Sequence, residues 1–380
     1  MTLYLGLMSG TSMDGVDAVL ARFPRDTSQA IAVLGHEHRD MPTGLRAALM
    51  ALNAPGADEL HRAALASNGV ARLYADAAVA LLAQTGTAKA EVRAIGAHGQ
   101  TVRHRPGEFD GTGYTLQLLN GALLAELCGI DVVCDLRSRD VASGGQGAPL
   151  VPAFHAALWA RRGEARAVLN LGGIANLSLL GADGQVGGFD CGPGNALMDL
   201  WCERHLGQPF DTDGAWASGA KPHAALLARL LSDPYFDRAP PKSTGRDLFH
   251  VAWLEQMLDD PAAQGLSAQV VQATLAELTV QATASALALH APRTQRLWVC
   301  GGGALNGHLM RRLADKLPTM QVQPTAALGL PPLQVEAAAF AWLARAFVQR
   351  QPGNRPEVTG ATGPRVLGAL HLGPSSLSTA

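Results

Sequence analysis

Leu3-Tyr4-Leu5-Gly6-Leu7-Met8-Ser9-Gly10-Thr11-Ser12-Met13-Asp14-Gly15-Val16-Asp17 opens the chain with an apolar run, Leu3 to Leu7, broken by a turn of glycine, hydroxyl and aspartate residues. A second run, Val16 to Phe23, follows, so the segment reads as a β-hairpin. The pattern returns in the second half. Ala167 to Leu171 is an apolar strand broken at Gly172-Gly173, and Leu177 to Leu180 and Val186 to Phe189 follow around the turn Gly181-Ala182-Asp183-Gly184. Each half opens with a hairpin carrying a glycine-rich turn, continues with helices and reaches a strand–glycine–helix unit. This is a weak internal repeat of two α/β halves, with a cleft expected between them.

Between these hairpins, Ile31 to Leu34 reads as a strand, and helical periodicity covers Leu45 to Leu52 and Ala57 to Gln84. Short strands are expected at Ala94 to Ala97 and Asp131 to Cys134, with a helix over Leu118 to Leu127. In the second half, helices are expected over Ala196 to His205, Ser267 to His290 and Val335 to Val348, and a buried strand over Leu297 to Cys300. At 380 residues the chain exceeds what one core ordinarily holds. The expected domains are 1–145, 146–372 with helical insertions, and a flexible tail at 373–380, where Pro, Gly, Ser and Thr dominate.

Hydrophobic residues make up 48% and charged residues 16%, as in a globular chain, and the formal net charge is −2. The basic residues are dispersed, so neither a nucleic acid nor a membrane surface is an expected partner. The five cysteines form no Cys-x-x-Cys pair and read as buried hydrophobes in a reducing compartment. The N-terminus lacks a basic leader segment, and no apolar run reaches the ~20 residues of a membrane span. A cytoplasmic location is expected.

Several segments can carry chemistry. The turn Gly10, Thr11, Ser12, Met13, Asp14, Gly15, Val16, Asp17 offers backbone N–H groups and hydroxyls to phosphate oxygens, with Asp14 and Asp17 able to hold a metal ion or its waters. The same composition suits an ordinary hairpin turn. Gly172 and Gly173, in Asn170-Leu171-Gly172-Gly173-Ile174-Ala175-Asn176, occupy the equivalent place in the second half, and the two turns together would clamp a triphosphate. Gly301, Gly302 and Gly303 lie between a buried strand and a helix and allow close approach of a nucleotide base and ribose. No Gly-x-x-x-x-Gly-Lys-Ser/Thr occurs, which excludes a P-loop; Pro241-Lys242-Ser243-Thr244-Gly245-Arg246 lacks the preceding glycines. In Gly188-Phe189-Asp190-Cys191-Gly192-Pro193-Gly194-Asn195, Asp190 reads equally as a general base or as a cap for the region that follows. His98, Gln100 and Thr101, in a polar run through Arg105, suit a polyhydroxylated ligand, although His98 can equally hold a turn. Arg137 can take a ligand carboxylate in two-pronged fashion or pair with Asp140.

Taken together, Met8 to Asp17, His98-Gly99-Gln100-Thr101, Gly144 to Pro152, Asn170 to Asn176, Gly188 to Asn195, Pro241 to Arg246 and Glu336-Ala337 resemble the anhydro-N-acetylmuramic acid kinase family, in order from residue 3 to about residue 370. The chain departs from the family pattern at Met13, where Leu is usual, at Cys191, where Thr is usual, and at Leu136, where Phe is usual. The resemblance implies two RNase H-like (actin-like ATPase) domains around an interdomain cleft. It implies ATP and Mg²⁺ as cofactors, with Asp14 and Glu336 as metal residues; Glu336 can equally be a nucleotide contact and reads almost as well as a solvated helix residue. It also implies a reaction in which water opens the 1,6-anhydro bridge of 1,6-anhydro-N-acetylmuramic acid, activated by Asp190, while O6 takes the γ-phosphate. The product, N-acetylmuramic acid 6-phosphate, would feed cell-wall recycling. The expected partner is a small-molecule amino sugar, with a homodimer as the candidate assembly. A simple hexose kinase and a non-sugar ATPase of the same superfold are the alternatives.

Overall fold

The computed structural model describes residues 1–10, 12–24, 31–245 and 248–374, and the chain divides into two compact units, Met1–Leu158 with Gln334–Ala380, and Trp159–Leu333. Of the sequence readings above, Thr11, Arg246 and most of the expected tail lie outside the described residues.

The first unit begins with strands β1 (Thr2–Met8), β2 (Gly15–Phe23) and β3 (Ala32–Asp40), an antiparallel meander in which Met8 pairs with Asp17 and Gly15 with Asp40. Strands β4 (Val92–Ala97) and β7 (Val132–Cys134) extend the sheet in parallel on the other side of β1. A separate hairpin, β5 (Gln100–Pro106) with β6 (Gly113–Leu118), intervenes in sequence. β3 is longer than the apolar run at Ile31 to Leu34 suggests. Its second half, His36-Glu37-His38-Arg39, is polar because β3 is an edge strand, where a strand needs no buried face of its own. The β5–β6 hairpin is not among the expected strands; β5 is a polar run, although β6 alternates Tyr114, Leu116 and Leu118 over a short span.

Alternation along β1 assigns the two faces of the sheet. Leu5 and Leu7 pack into a core with Val70, Tyr74, Ala78 and Leu81 of the helix Glu59–Thr85. Gly6, between them, faces the opposite way, and a Cβ built there would run into the backbone of Ala337 and Ala341. Gly96 of β4 lies beside Gly6 in register and meets Phe340 in the same manner. The two glycines thus form a flat seat for the helix Val335–Val348, whose Ala337, Ala338, Ala339, Ala341 and Ala344 are all buried. Gly96→Val is therefore expected to lift that helix off the sheet and to destabilise the unit by at least the ~1–3 kcal/mol typical of core overpacking. A thermal melt within a degree of the wild type would remove the close approach as a determinant of the fold.

The second unit repeats the plan. β8 (Arg166–Leu171), β9 (Ile174–Leu180) and β10 (Val186–Pro193) form an antiparallel meander, and β11 (Arg296–Cys300) and β12 (Gln321–Pro324) continue the sheet in parallel from β8. The order is β10-β9-β8-β11-β12. In the first unit it is β3-β2-β1-β4-β7, with β13 (Ala369–His371) added antiparallel at the far edge. The helix Ala268–His290 runs through the core of the second unit, burying Leu275, Leu278, Val280 and Leu287.

The division differs from the expected domains 1–145 and 146–372. The first unit extends to Leu158, and the chain returns to it at Gln334. The reason is packing that linear periodicity does not reveal. The helix Val335–Val348 is small-residue-rich on nearly every side, and only the glycine seat on β1 and β4 identifies its sheet. Asp140, fully buried, completes the return by accepting from Asn354 Nδ2 at 2.7 Å and Thr359 Oγ1 at 2.8 Å. The expected tail is not free from residue 373, for Gly373 N–H donates to Asp131 Oδ1 at 3.0 Å.

Candidate functional site

In the first unit the β1–β2 connection is held from beneath. Ser9 Oγ and Tyr74 Oη lie 2.8 Å apart, and both reach the carbonyl of Gly99, at 3.1 and 3.2 Å. His98 Nδ1 donates to Ser9 O at 3.1 Å, and Gln100 Nε2 donates to Gly10 O at 3.1 Å. The turn closes through Met13 N–H to Gly10 O at 3.2 Å, with Met13 at φ 52° and its side chain buried. Asp14, exposed, accepts from Ser12 Oγ at 2.7 Å and from the Gly15 N–H at 3.0 Å. Val16 is fully buried below the turn. Asp17 bonds His36 Nε2 at 2.9 Å and His38 Nδ1 at 3.0 Å, so its Oδ1 already has two imidazole partners.

Arg137 stands behind His98. Its Nε and Nη2 donate to His98 Nε2 at 3.1 and 3.0 Å, and its Nη1 donates to Gly147 O at 2.8 Å. This fixes His98 as the neutral Nδ1–H tautomer. Burial, reinforced by the Arg137 charge, pushes the imidazole down to about 3. Arg137 does not hydrogen-bond Asp140, whose Oδ2 instead takes the Gly147 N–H at 2.8 Å. Three of the five guanidinium N–H donors are engaged within the chain, which leaves one on each of Nη1 and Nη2. Thr101 Oγ1, on β5, accepts from Gln117 Nε2 at 3.2 Å. Glu336 is half-buried in the first turn of its helix. Its carboxyl is raised by burial, opposed by Arg137, and raised further by Asp17 and Asp14. Among the described residues, no group of three or more His, Cys, Asp or Glu side chains is arranged to hold a metal ion.

In the second unit three glycine segments meet. The Gly172-Gly173 turn joins β8 to β9 and accepts from Asn195 N–H at 2.8 Å and from Gly194 N–H at 2.9 Å. Asn195 Nδ2 donates to Leu171 O at 3.1 Å. Gly301 leaves β11 at φ 78°, ψ 176°, where side chains are essentially not found, and a Cβ there would lie 2.5 Å from Asn170 Oδ1. A Cβ on Gly303 would meet Leu171 Cβ at 2.5 Å and Asn195 Oδ1 at 2.9 Å, while Gly302 is more open. Gly172, Gly173 and Gly301 to Gly303 therefore line one backbone-rich surface. Thr279 Oγ1, within 3.0 Å of both Pro193 O and Gly194 O, braces it from the central helix.

Asp190 lies in the same unit, on β10, at a bulge. It pairs with Asn176, but Gly192 pairs with Ala175, so Cys191 is the extra residue. Cys191 points inward, with Sγ 3.2 Å from Ala175 O and 3.7 Å from Thr283 Oγ1. The capping alternative for Asp190 is excluded, since the next helix begins at Ala196 behind Asn195. Asp190 is held at three points: its N–H by Lys242 O at 3.2 Å, its carbonyl by Tyr235 Oη at 2.6 Å, and its Oδ2 by Thr244 N–H at 2.9 Å. Burial raises its carboxyl to about 6, against the lowering effects of the Thr244 N–H and Lys242. Lys242 and Thr244 belong to a run that the sequence singles out as lacking P-loop glycines and as one of the family-like motifs, without a role for either residue, and Tyr235 carries no sequence signal of its own.

Two units with this strand order, each carrying a glycine turn between its first two strands, define an ATPase fold of the actin-like class. A sequence model described as anhydro-N-acetylmuramic acid kinase matches residues 2–373. The chain is 60% identical over 374 residues to the anhydro-N-acetylmuramic acid kinase of Variovorax paradoxus (strain S110), covering 97% of this chain and 98% of that one. It is 58% identical over 369 residues to that of Cupriavidus pinatubonensis (strain JMP 134 / LMG 1197), with 97% and 98% covered. Among solved structures, it is similar to the activator of the 2-hydroxyisocaproyl-CoA dehydratase from Clostridium difficile at 12% identity and a TM-score of 0.48, covering 92% and 96% of the two chains. The chain belongs to the anhydro-N-acetylmuramic acid kinase family and is a phosphotransferase.

Proposed function

We propose that the enzyme uses ATP and water to convert 1,6-anhydro-N-acetylmuramic acid to N-acetylmuramic acid 6-phosphate and ADP, with Asp190 as the base. The observation that carries the reading is the state of Asp190. One carboxylate oxygen is fixed by Thr244 N–H, and the other bonds no described residue, in surroundings that place the group near neutrality. In this scheme Asp190 takes a proton from the water that attacks C1. The C1–O6 bond breaks, and O6 forms a bond to the γ-phosphorus as the β–γ bridge breaks.

Phosphoryl transfer itself is mostly positioning and charge neutralisation. The Gly10–Asp17 turn is proposed to receive phosphate oxygens, and Gly172, Gly173 and Gly301 to Gly303 to admit the nucleotide. His98, Gln100 and Arg137 support this reading by fixing the carbonyls of Ser9 and Gly10 and the loop at Gly147. Magnesium would arrive with the nucleotide and neutralise phosphate charge. Asp14 and Glu336 are the residues proposed to hold it, largely through water and phosphate. What supports this is that Glu336, raised first by burial, is raised further by Asp17 and Asp14, a repulsion that a divalent cation would relieve. A cytoplasmic enzyme of cell-wall recycling accords with the use of ATP, and no described helix is long and apolar enough to cross a membrane.

The test is reaction in ¹⁸O-labelled water at short times. One label is expected at C1 of the sugar and none in the phosphate ester. A control with pre-formed product measures anomeric exchange. A sugar product without label above that exchange would indicate simple hexose phosphorylation, and label confined to inorganic phosphate would indicate an ATPase.

A further inference from the structure

Lys242 stands in Pro241-Lys242-Ser243-Thr244-Gly245, and the reaction above gives it no task. A lysine in a phosphoryl-transfer enzyme is ordinarily read as a phosphate ligand. Here the ammonium is turned into its own segment. Nζ donates to the carbonyls of Tyr235 at 3.3 Å and Phe236 at 3.2 Å. It also lies 4.9 Å from the centroid of the Tyr235 ring and 6.0 Å from that of Phe189. Two of its three donors are used, and aromatic faces lie close to the charge.

The segment tied together in this way is the one that holds Asp190. Tyr235 Oη donates to the Asp190 carbonyl, Lys242 O accepts the Asp190 N–H, and Thr244 N–H donates to the carboxylate. We propose that Lys242 is a positioning residue for Asp190: its caged ammonium locks the segment that grips Asp190 at N–H, carbonyl and carboxylate, and keeps a positive charge near that carboxylate. This rests on reading Asp190 as the base.

Among the described residues, the titratable and charged groups around Asp190 and Lys242 are Cys191 on the same strand, Tyr235, Asp237 and Arg238 on the facing segment, and His290 at the end of the central helix. Burial pushes the thiol and the phenol up, so neither supplies charge at neutral pH. His290 is pushed down, by burial and then by Lys242, so it is neutral there as well. Burial raises Asp190, and among the described residues the Thr244 N–H and then the Lys242 charge lower it. Removing that charge moves the carboxyl further up, so the base is lost at a higher pH.

The experiment compares kcat/KM for the anhydro sugar between pH 5 and 9 in the full chain, for wild type, Lys242→Met, Lys242→Gln and Lys242→Arg. Wild type is expected to lose activity on acidification through about 6. The Met and Gln variants should lose it about one pH unit higher. That is about a five- to sixfold deficit at pH 6, approaching about tenfold at pH 5 and narrowing by pH 8, since one unit corresponds to a factor of ten. Gln keeps a donor for the two carbonyls, so it reports on charge even if Met does not fold. Arg should keep the wild-type limb, and KM for ATP should hold in all three. An acidic limb unmoved in both Met and Gln overturns the proposal, as does a raised KM for ATP with the limb in place. A wild-type profile without a limb near pH 6 would instead refute Asp190 as the base.

Discussion

Asp190→Asn is expected to leave ATP binding intact and to lower turnover by roughly 10²–10⁴-fold, the usual range for loss of a general base. The substitution removes the proton acceptor while keeping the shape. An amide oxygen can still accept from Thr244 N–H, and the backbone clasps from Lys242 O and Tyr235 Oη do not involve the side chain. Folding should not suffer. A carboxyl raised to about 6 by burial is one whose ionised form the fold disfavours, so a neutral amide removes an unfavourable charge. Wild-type activity should rise with pH through about 6, because the base acts deprotonated, and residual activity of the variant should lose that limb. The checks are single-turnover rates across pH, calorimetric titration with an ATP analogue and a thermal melt. Turnover within a few-fold of wild type would remove Asp190 from the mechanism.

Gly301→Val is expected to weaken ATP far more than sugar. At φ 78° and ψ 176° a β-branched residue is strained in itself, and its Cβ would lie 2.5 Å from Asn170 Oδ1 and 2.7 Å from Leu171 O. Strain of this kind is of the order of 1–3 kcal/mol. If the binding surface bears it, affinity falls by roughly 5- to 150-fold. Gly10 makes the instructive contrast. Its φ is not in the left-handed region, and a Cβ there would meet only Ser12 Oγ, at 3.6 Å. Gly10→Val should therefore fold without strain and act only through what its side chain does to approaching phosphates. Calorimetry with ATP analogue and with sugar separates the cases. Unchanged ATP affinity in Gly301→Val would take the Gly301–Gly303 turn out of nucleotide binding.

The sequence by itself determined the repeated plan. Apolar runs split by Ser9 to Asp14 and by Gly172-Gly173 require two hairpins, because glycine and short polar side chains stop a strand where backbone must turn. The ordered motifs from Met8 to Glu336 were enough to point to the family. Asp190 was legible as a carboxylate at the end of an apolar run. What it could do was not, because the bulge at Cys191, the Thr244 N–H and the burial that raises it all come from pairing across the unit. His98 and Gln100 looked like ligand groups, and only the fold shows their donors directed at Ser9 O and Gly10 O. The return of Val335–Val348 to the first sheet was equally hidden. An alanine-rich helix matches any flat surface by pattern, and the Gly6–Gly96 seat exists only once β1 and β4 lie in register. Local sequence encodes where the chain turns and which face is apolar. Tertiary structure decides which distant backbone groups meet a side chain, and those meetings set its charge and orientation.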